Sequence, residues 1–190
     1  ITRLSGANLQ NYQDMVTGLP RSIRDHMTNQ LAFGPDGKLY FAQAGMNAMG
    51  APDNAWGNRP EHLLSAAILQ LDPTKLPVSL PLNVQTENTQ APYNPFASGA
   101  ALKIYATGVR NGYDLLWHSN GHLYTAVNGS AAGGGTPSSP NPAVSSSRVD
   151  QAIFGTYNGP VVVGAKNIPD TEHDWLFDID QANVGYYGHP

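Results

Sequence analysis

The chain of 190 residues has no cysteine, and only 13% of its residues are charged, roughly half the share usual in soluble domains. Without cysteine there is no disulfide, no catalytic thiolate and no zinc–thiolate site. No apolar run approaches the ~20 residues that a membrane-spanning helix needs, which excludes such a helix. The 10 Lys and Arg residues are spread along the chain and the formal net charge is −4. This balance argues against a nucleic-acid-binding surface.

Glycine (20 residues) and proline (15 residues) are plentiful instead, so turns and loops should be abundant. The length allows one domain, or at most two small ones, with a sizeable core. Low charge together with many Gly, Pro, Ser and Asn residues is common in exported bacterial proteins. We therefore expect a periplasmic or extracellular location.

An internal repeat organises the chain. Segments 31–45 (LAFGPDGKLYFAQAG) and 115–129 (LLWHSNGHLYTAVNG) lie 84 residues apart and are identical at six of fifteen positions. Each copy has two short apolar stretches around a tight turn, Asp36-Gly37 or Asn120-Gly121. Such dipeptides supply the positive φ angles that hairpin turns need. Each copy is therefore predicted to be an antiparallel hairpin.

Further strands are predicted at 67–72, 102–108 and 174–180, where apolar residues alternate or run together between turn signals. The best helix candidate, 8–17, is short and poorly amphipathic. Four antiparallel strands followed by a second copy of the same hairpin is the plan of β-propeller blades. We predict an all-β protein built from propeller blades of four antiparallel strands.

The predicted domain organisation is a single partial β-propeller domain over 1–190. One blade occupies about 20–108, and a following, incomplete blade begins at about 109. Loop insertions are predicted at 73–99 and 131–147. The second is almost wholly Ala, Gly, Ser, Pro and Thr, so we expect a mobile surface loop. Because a propeller typically has four to eight blades, we expect the chain to be part of a larger one.

Two candidate functional residues occupy matching places in the repeat. His26 precedes the first hairpin and Arg110 precedes the second, again at an offset of 84. In a propeller, residues that enter the innermost strand line the central mouth, so the two side chains could converge on one ligand. Histidine would serve as a general base and arginine as a forked donor for carboxylates. A capping role for His26 and a surface role for Arg110 stay open, as do sugar stacking and blade packing for Trp56.

The order of several segments resembles the soluble glucose/sorbosone dehydrogenase family. The matching segments are Asp25-His26, LAFGPDGKLY at 31–40, ILQLDP at 68–73, IYATGVRN at 104–111 and YYGHP at 186–190. Members of this family are six-bladed propellers that use pyrroloquinoline quinone (PQQ) and calcium to oxidise sugars. The resemblance implies that this chain covers about two of six blades, acts on a sugar and passes electrons to a separate acceptor.

The resemblance also implies roles for individual residues. His26 matches the base that takes the proton from the anomeric hydroxyl of the sugar while hydride passes to the quinone. Arg110 matches the residue that sits against the quinone and stabilises negative charge. Asn111 and Asn128 match PQQ contacts. The backbone carbonyls of Gly129 and Ser130 match calcium ligands.

A non-catalytic propeller that binds a protein or glycan is the alternative. Long, low-complexity insertions favour it, because binding propellers vary in such loops. The dehydrogenase hypothesis predicts that His26 and Arg110 face one polar cavity and that His26→Ala abolishes turnover. The binding hypothesis predicts no affinity for quinone and tolerance of the same substitution.

Overall fold

The structure, a computed structural model, describes residues 1–87, 90–145, 147–155, 157–179 and 185–190. In chain order its strands and helix are β1 (Thr2–Ser5), β2 (Asn11–Asp14), β3 (Val16–Thr17), β4 (Thr28–Phe33), β5 (Leu39–Gln43), β6 (Ala67–Leu71), β7 (Leu82–Asn83), β8 (Leu102–Thr107), β9 (Gly112–Trp117), β10 (Leu123–Val127), α1 (Val149–Phe154) and β11 (Trp175–Ile179). Short 3-10 turns occur at Asn54–Trp56 and Pro73–Lys75. The regular structure is almost wholly β, which confirms the predicted all-β class.

The first repeat forms a four-stranded antiparallel sheet in the order β4-β5-β6-β8. β5 and β6 are its central strands and are buried at nearly every position. Their sequences fit that place, since LYFAQ and AILQL each carry a single glutamine among apolar and aromatic residues. The four strands predicted in this part of the chain are confirmed.

The second repeat forms a three-stranded antiparallel sheet in the order β9-β10-β11. The bounds of β9 and β10 fall 84 residues after those of β4 and β5, so the repeat in sequence is also a repeat in structure. β11 confirms the strand predicted at 174–180, of which Asp180 lies outside the described residues. Among the described strands, no sheet closes on itself.

Glycine shapes both hairpin turns. Gly37 and Gly121 have φ angles of 75° and 89°, a region that side chains with a Cβ rarely adopt. Their N–H groups donate to the carbonyls of Gly34 and His118, at 3.0 and 2.9 Å. The Asp-Gly and Asn-Gly pairs therefore do form hairpin turns.

The two sheets share one hydrophobic core. Its fully buried members come from both repeats and include Phe41, Ile68, Leu69, Leu102 and Leu123. β4 lies beside β9, and Asn29 on β4 donates to the side-chain oxygen of Asn111 and to the carbonyl of Gly112, both at 2.9 Å. The repeats thus meet along their first strands, which brings the segments that precede these strands together.

The segment 8–17, the best helix candidate but a poor one, is not helical and contains β2 and β3. β2 is polar and exposed at every position, so it has no apolar helical face to bury and pairs with β1 as an antiparallel hairpin. No helix in the described part of the chain has the length and apolar character needed to cross a membrane.

The two predicted insertions carry more main-chain pairing than their composition indicates. The described part of 73–99 includes β7, which pairs with β3. In 131–147, Gly133 donates to the carbonyl of Ile168 at 2.7 Å, and Ala51 donates to the carbonyl of Gly135 at 3.0 Å. Small residues bury little apolar surface, but they leave the backbone open to such bonds.

Candidate functional site

A polar cavity of about 600 Å³ opens where the segments before β4 and β9 meet the loops after β5 and β10. Five of the six predicted site residues line it: His26, Arg110, Asn111, Asn128 and Gly129. Ser130 is buried and does not belong to the cavity wall. The other charged side chains on the wall are Arg24, Asp25, Asp53 and Asp174.

His26 is held as a neutral imidazole. Its side chain is 3% exposed, and Nδ1 lies 2.9 Å from the carbonyl oxygen of Gly45. A carbonyl only accepts hydrogen bonds, so Nδ1 carries the proton and Nε2 carries the lone pair. Burial, followed by the positive charge of Arg110, lowers the pKa of His26 to about 4. At neutral pH Nε2 is therefore an unprotonated base.

Arg110 is anchored by backbone carbonyls. Its Nε donates to Ala48 at 2.6 Å, and its Nη1 donates to Gly129 at 3.0 Å and to Asn128 at 3.4 Å. Burial lowers the pKa of Arg110, and the carboxylates of Glu172 and others oppose this. An arginine stays charged under such conditions. The cavity therefore holds a fixed positive charge whose Nη2 makes no hydrogen bond to a described residue.

The two repeats use their matching residues in the same way. His26 donates to the carbonyl of Gly45, and Arg110 donates to the carbonyl of Gly129. Gly45 and Gly129 are themselves related by the 84-residue offset. The N–H of Gly45 also donates to the carbonyl of Arg110 at 2.7 Å, which links the two halves of the site directly.

A chain of side-chain amides runs along the wall. Asn29 donates to Asn111, and Asn111 donates to the side-chain oxygen of Asn128 at 2.8 Å. This orientation leaves the Nδ2 group of Asn128 as a donor without a partner among the described residues. Two kinds of donor on residues of the wall, an arginine Nη2 and an asparagine amide, thus have no hydrogen-bond partner among the described residues.

Trp56 packs against the candidate base. Its ring centroid lies 4.4 Å from that of His26 at an interplanar angle of 49°. The guanidinium carbon of Arg24 lies over the Trp56 ring, 5.7 Å from its centroid. The 3-10 turn that carries Trp56 is capped by Asp53, whose carboxylate accepts the Trp56 N–H at 3.0 Å. The Trp56 ring therefore packs against the imidazole of His26. This contact helps to hold His26 against the cavity wall.

The carbonyls predicted to bind calcium already have partners. Gly129 accepts from Arg110, and Ser130 accepts from the N–H of Glu172 at 2.9 Å. Calcium takes six to eight oxygen ligands, and a guanidinium on one of them repels a second cation. Among the described residues, no group of three or more His, Asp or Glu side chains is placed to hold a metal. Calcium at these carbonyls would have to compete with the donors that now bind them, and calcium binding stays a prediction.

The sequence placed Glu61 only in the polar loop around Trp56, where a sugar could stack, and His189 only in a terminal motif. The two form a buried pair, with His189 Nε2 3.0 Å from Glu61 Oε1. They are 128 residues apart, and no periodic pattern links them. The one sequence feature near this pair is Gly45, which the repeat aligns with Gly129.

No protein-family model matches the chain, and no curated protein is significantly similar to it. The family resemblance therefore rests on the segments quoted above.

Proposed function

We propose that the chain carries the catalytic residues of a PQQ-dependent dehydrogenase that oxidises sugars at a CH–OH group. The observation that supports the proposal is that a neutral His26 and a buried, charged Arg110 line one polar cavity. Asn111 and Asn128 line it as well. Its volume of about 600 Å³ falls in the range of small-molecule sites.

In this proposal His26 moves the proton. Nε2 accepts the proton of the anomeric hydroxyl, while the carbon that bears the hydroxyl gives up hydride and becomes a carbonyl. PQQ, when bound, supplies the acceptor for that hydride. The Nδ1–H bond to Gly45 keeps the imidazole in the tautomer that the reaction needs, and the low pKa keeps Nε2 free at neutral pH.

Arg110 and Asn128 would hold the quinone. PQQ is a planar acid, and the cavity residues carry donors without a partner among the described residues, including the Nη2 group of Arg110 and the amide of Asn128. The fixed positive charge of Arg110 favours an anionic ligand and stabilises negative charge that develops on it. Asp25, Asp53 and Asp174 line the same cavity, so the proposal relies on the local donors of Arg110 and Asn128 and not on the net charge of the wall.

The same resemblance leads us to propose the wider setting. The chain would form about two blades of a six-bladed propeller, located in the periplasm or outside the cell, which uses calcium and a separate electron acceptor. Two sheets with strand bounds repeated at 84 residues support the propeller.

Quinone reconstitution tests the proposal. The full polypeptide that contains this chain is mixed with PQQ and calcium and desalted, and the absorbance of bound quinone is followed as aldoses are added. We expect retained quinone that is reduced by at least one aldose. His26→Ala should retain quinone, and its rate of quinone reduction should fall by a factor of roughly 100 or more. His118→Ala, on an exposed turn, should behave as the unsubstituted protein.

One observation favours the alternative, a propeller that binds a protein or glycan without a cofactor. Arg110 already donates to three backbone carbonyls. This structural role alone would account for an arginine at this position. Loss of quinone on desalting from a folded protein, with His26→Ala unchanged in fold, would support the binding propeller and contradict the dehydrogenase.

A further inference from the structure

A buried carboxylate lies behind the wall that carries His26. Glu61 is 8% exposed, and its two oxygens accept the N–H of Met46 at 2.9 Å each, the hydroxyl of Ser65 at 2.5 Å and Nε2 of His189 at 3.0 Å. A buried charge is costly unless it is paired and hydrogen-bonded. Burial alone raises the pKa of Glu61, but the bond to His189 and the other donors bring it below its ordinary value.

The groups that bind Glu61 come from separate parts of the chain. Met46 follows β5, Ser65 precedes β6, and His189 belongs to the segment 185–190. Gly45 lies against the pair, since a Cβ added there would be 3.0 Å from His189 Nε2 and 3.1 Å from Glu61 Oε1. The absence of a side chain at Gly45 therefore lets the carboxylate reach the backbone of this turn.

One peptide group connects this carboxylate to the imidazole. The carbonyl of Gly45 and the N–H of Met46 belong to the same peptide bond, and in a trans peptide they point in opposite directions. Glu61 binds the N–H side, and His26 Nδ1 binds the carbonyl side. A negative charge at the N–H end polarises the peptide and makes its carbonyl a stronger acceptor, because hydrogen bonds in a chain reinforce one another.

We infer that Glu61, supported by His189, is a positioning residue for His26 and acts on it through the Gly45–Met46 peptide. The carboxylate orients and polarises this peptide, the peptide fixes the proton on Nδ1, and Nε2 is left as the basic nitrogen. Glu61 does not contact the cavity. The use of His26 as a base in turnover rests on the proposed function, whereas the tautomer of His26 does not.

The test is nitrogen-15 NMR of the histidine rings at pH 7, with the His26 signals identified by their absence in His26→Gln. In the parent protein Nδ1 should be the protonated nitrogen, and the Met46 amide proton should lie downfield, as expected for a bond to a carboxylate. Glu61→Gln keeps the shape and removes the charge. We expect the Met46 proton to move upfield and the His26 nitrogen shifts to move toward a mixture of both tautomers.

Glu87→Gln is the matched control. Glu87 also pairs with a histidine, His62 at 3.4 Å, and accepts a backbone N–H, that of Leu63 at 2.9 Å, but it does not contact the Gly45–Met46 peptide. It should leave the His26 signals unchanged. A folded Glu61→Gln with the parent's His26 shifts, or an equal change in Glu87→Gln, would overturn the inference.

Should Glu61→Gln fail to fold, the unsubstituted protein can still contradict the inference. Protonation of His26 on Nε2 at pH 7, or a Met46 amide proton without a downfield shift, contradicts the inference. No quinone or sugar enters the experiment, so its result is separate from that of reconstitution. If the dehydrogenase is established, Glu61→Gln should lower kcat by roughly 10- to 100-fold, the range known for partners that orient metal-bound histidines, with little change in KM.

Discussion

At the scale of single residues, burial and one neighbouring charge decide the state of His26. An imidazole with its ordinary pKa of about 6.5 would be partly protonated near neutral pH. Because His26 is buried beside Arg110, its positive form is disfavoured and the residue is neutral. Burial and the charge of Arg110 keep Nε2 unprotonated at neutral pH. They also make the free energy of unfolding depend on pH in the acidic range.

This acid sensitivity can be predicted with its sign. Between pH 6.5 and about 4 the unfolded chain binds a proton at His26 and the folded protein does not, so the free energy of unfolding falls as the pH is lowered through this window. The full effect is about 3 kcal/mol, since each pKa unit corresponds to about 1.4 kcal/mol. The loss is absent well above pH 6.5 and complete below about pH 4. Urea unfolding at several pH values measures it.

His26→Gln should remove most of this slope, and His118→Gln, at an exposed position, should retain it. An unchanged slope in His26→Gln would show that other groups cause the acid sensitivity. Carboxylates with lowered pKa values, among them Glu61 and Asp150, lose their contribution only at more acidic pH, and this separates them from His26.

At the scale of elements, the repeat could be predicted from sequence and most of the site could not. Turn glycines and alternating apolar residues determine structure locally, so the sequence was enough to predict β4, β5, β9 and β10. The same pattern showed that His26 precedes β4 and that Arg110 precedes β9. β1 and β2 pair through their main chains and carry exposed side chains, so they left no apolar pattern. The contact between Glu61 and His189 depends on how distant segments pack, which a single sequence does not encode in any local signal.

The turn after β10 provides a test at this scale. A Cβ at Gly129 would collide with the backbone carbonyls of Glu172 and His173, so Gly129→Ala must shift backbone and should cost about 1–3 kcal/mol in unfolding free energy. Gly99→Ala is the control, because no atom lies within 4 Å of its added Cβ and it should be neutral or slightly stabilising. Thermal unfolding compares the two. Equal midpoints would contradict the packing of this turn.

At the scale of the whole molecule, one side chain joins the two sheets beside the cavity. Asn29 of the first sheet bonds to Asn111 and Gly112 at the start of the second, and Asn111 continues the chain of amides to Asn128. The shared core and this polar link predict that both sheets unfold together. The cavity residues would then keep their arrangement for as long as the contact between the sheets is intact.

Asn29→Ala tests this coupling. It removes two hydrogen bonds and leaves the oxygen of Asn111 without its donor, which should cost about 1–3 kcal/mol. Asn8→Ala, at an exposed position between β1 and β2, is the matched control and should change little. Urea unfolding followed by tryptophan fluorescence and circular dichroism should show one transition that moves to lower urea in Asn29→Ala. Two separate transitions in the parent would mean that the sheets are independent, and equal midpoints for the two variants would mean that Asn29 does not stabilise their contact. In the first case the cavity would lie between two units that unfold separately, and the site would be lost with the less stable one.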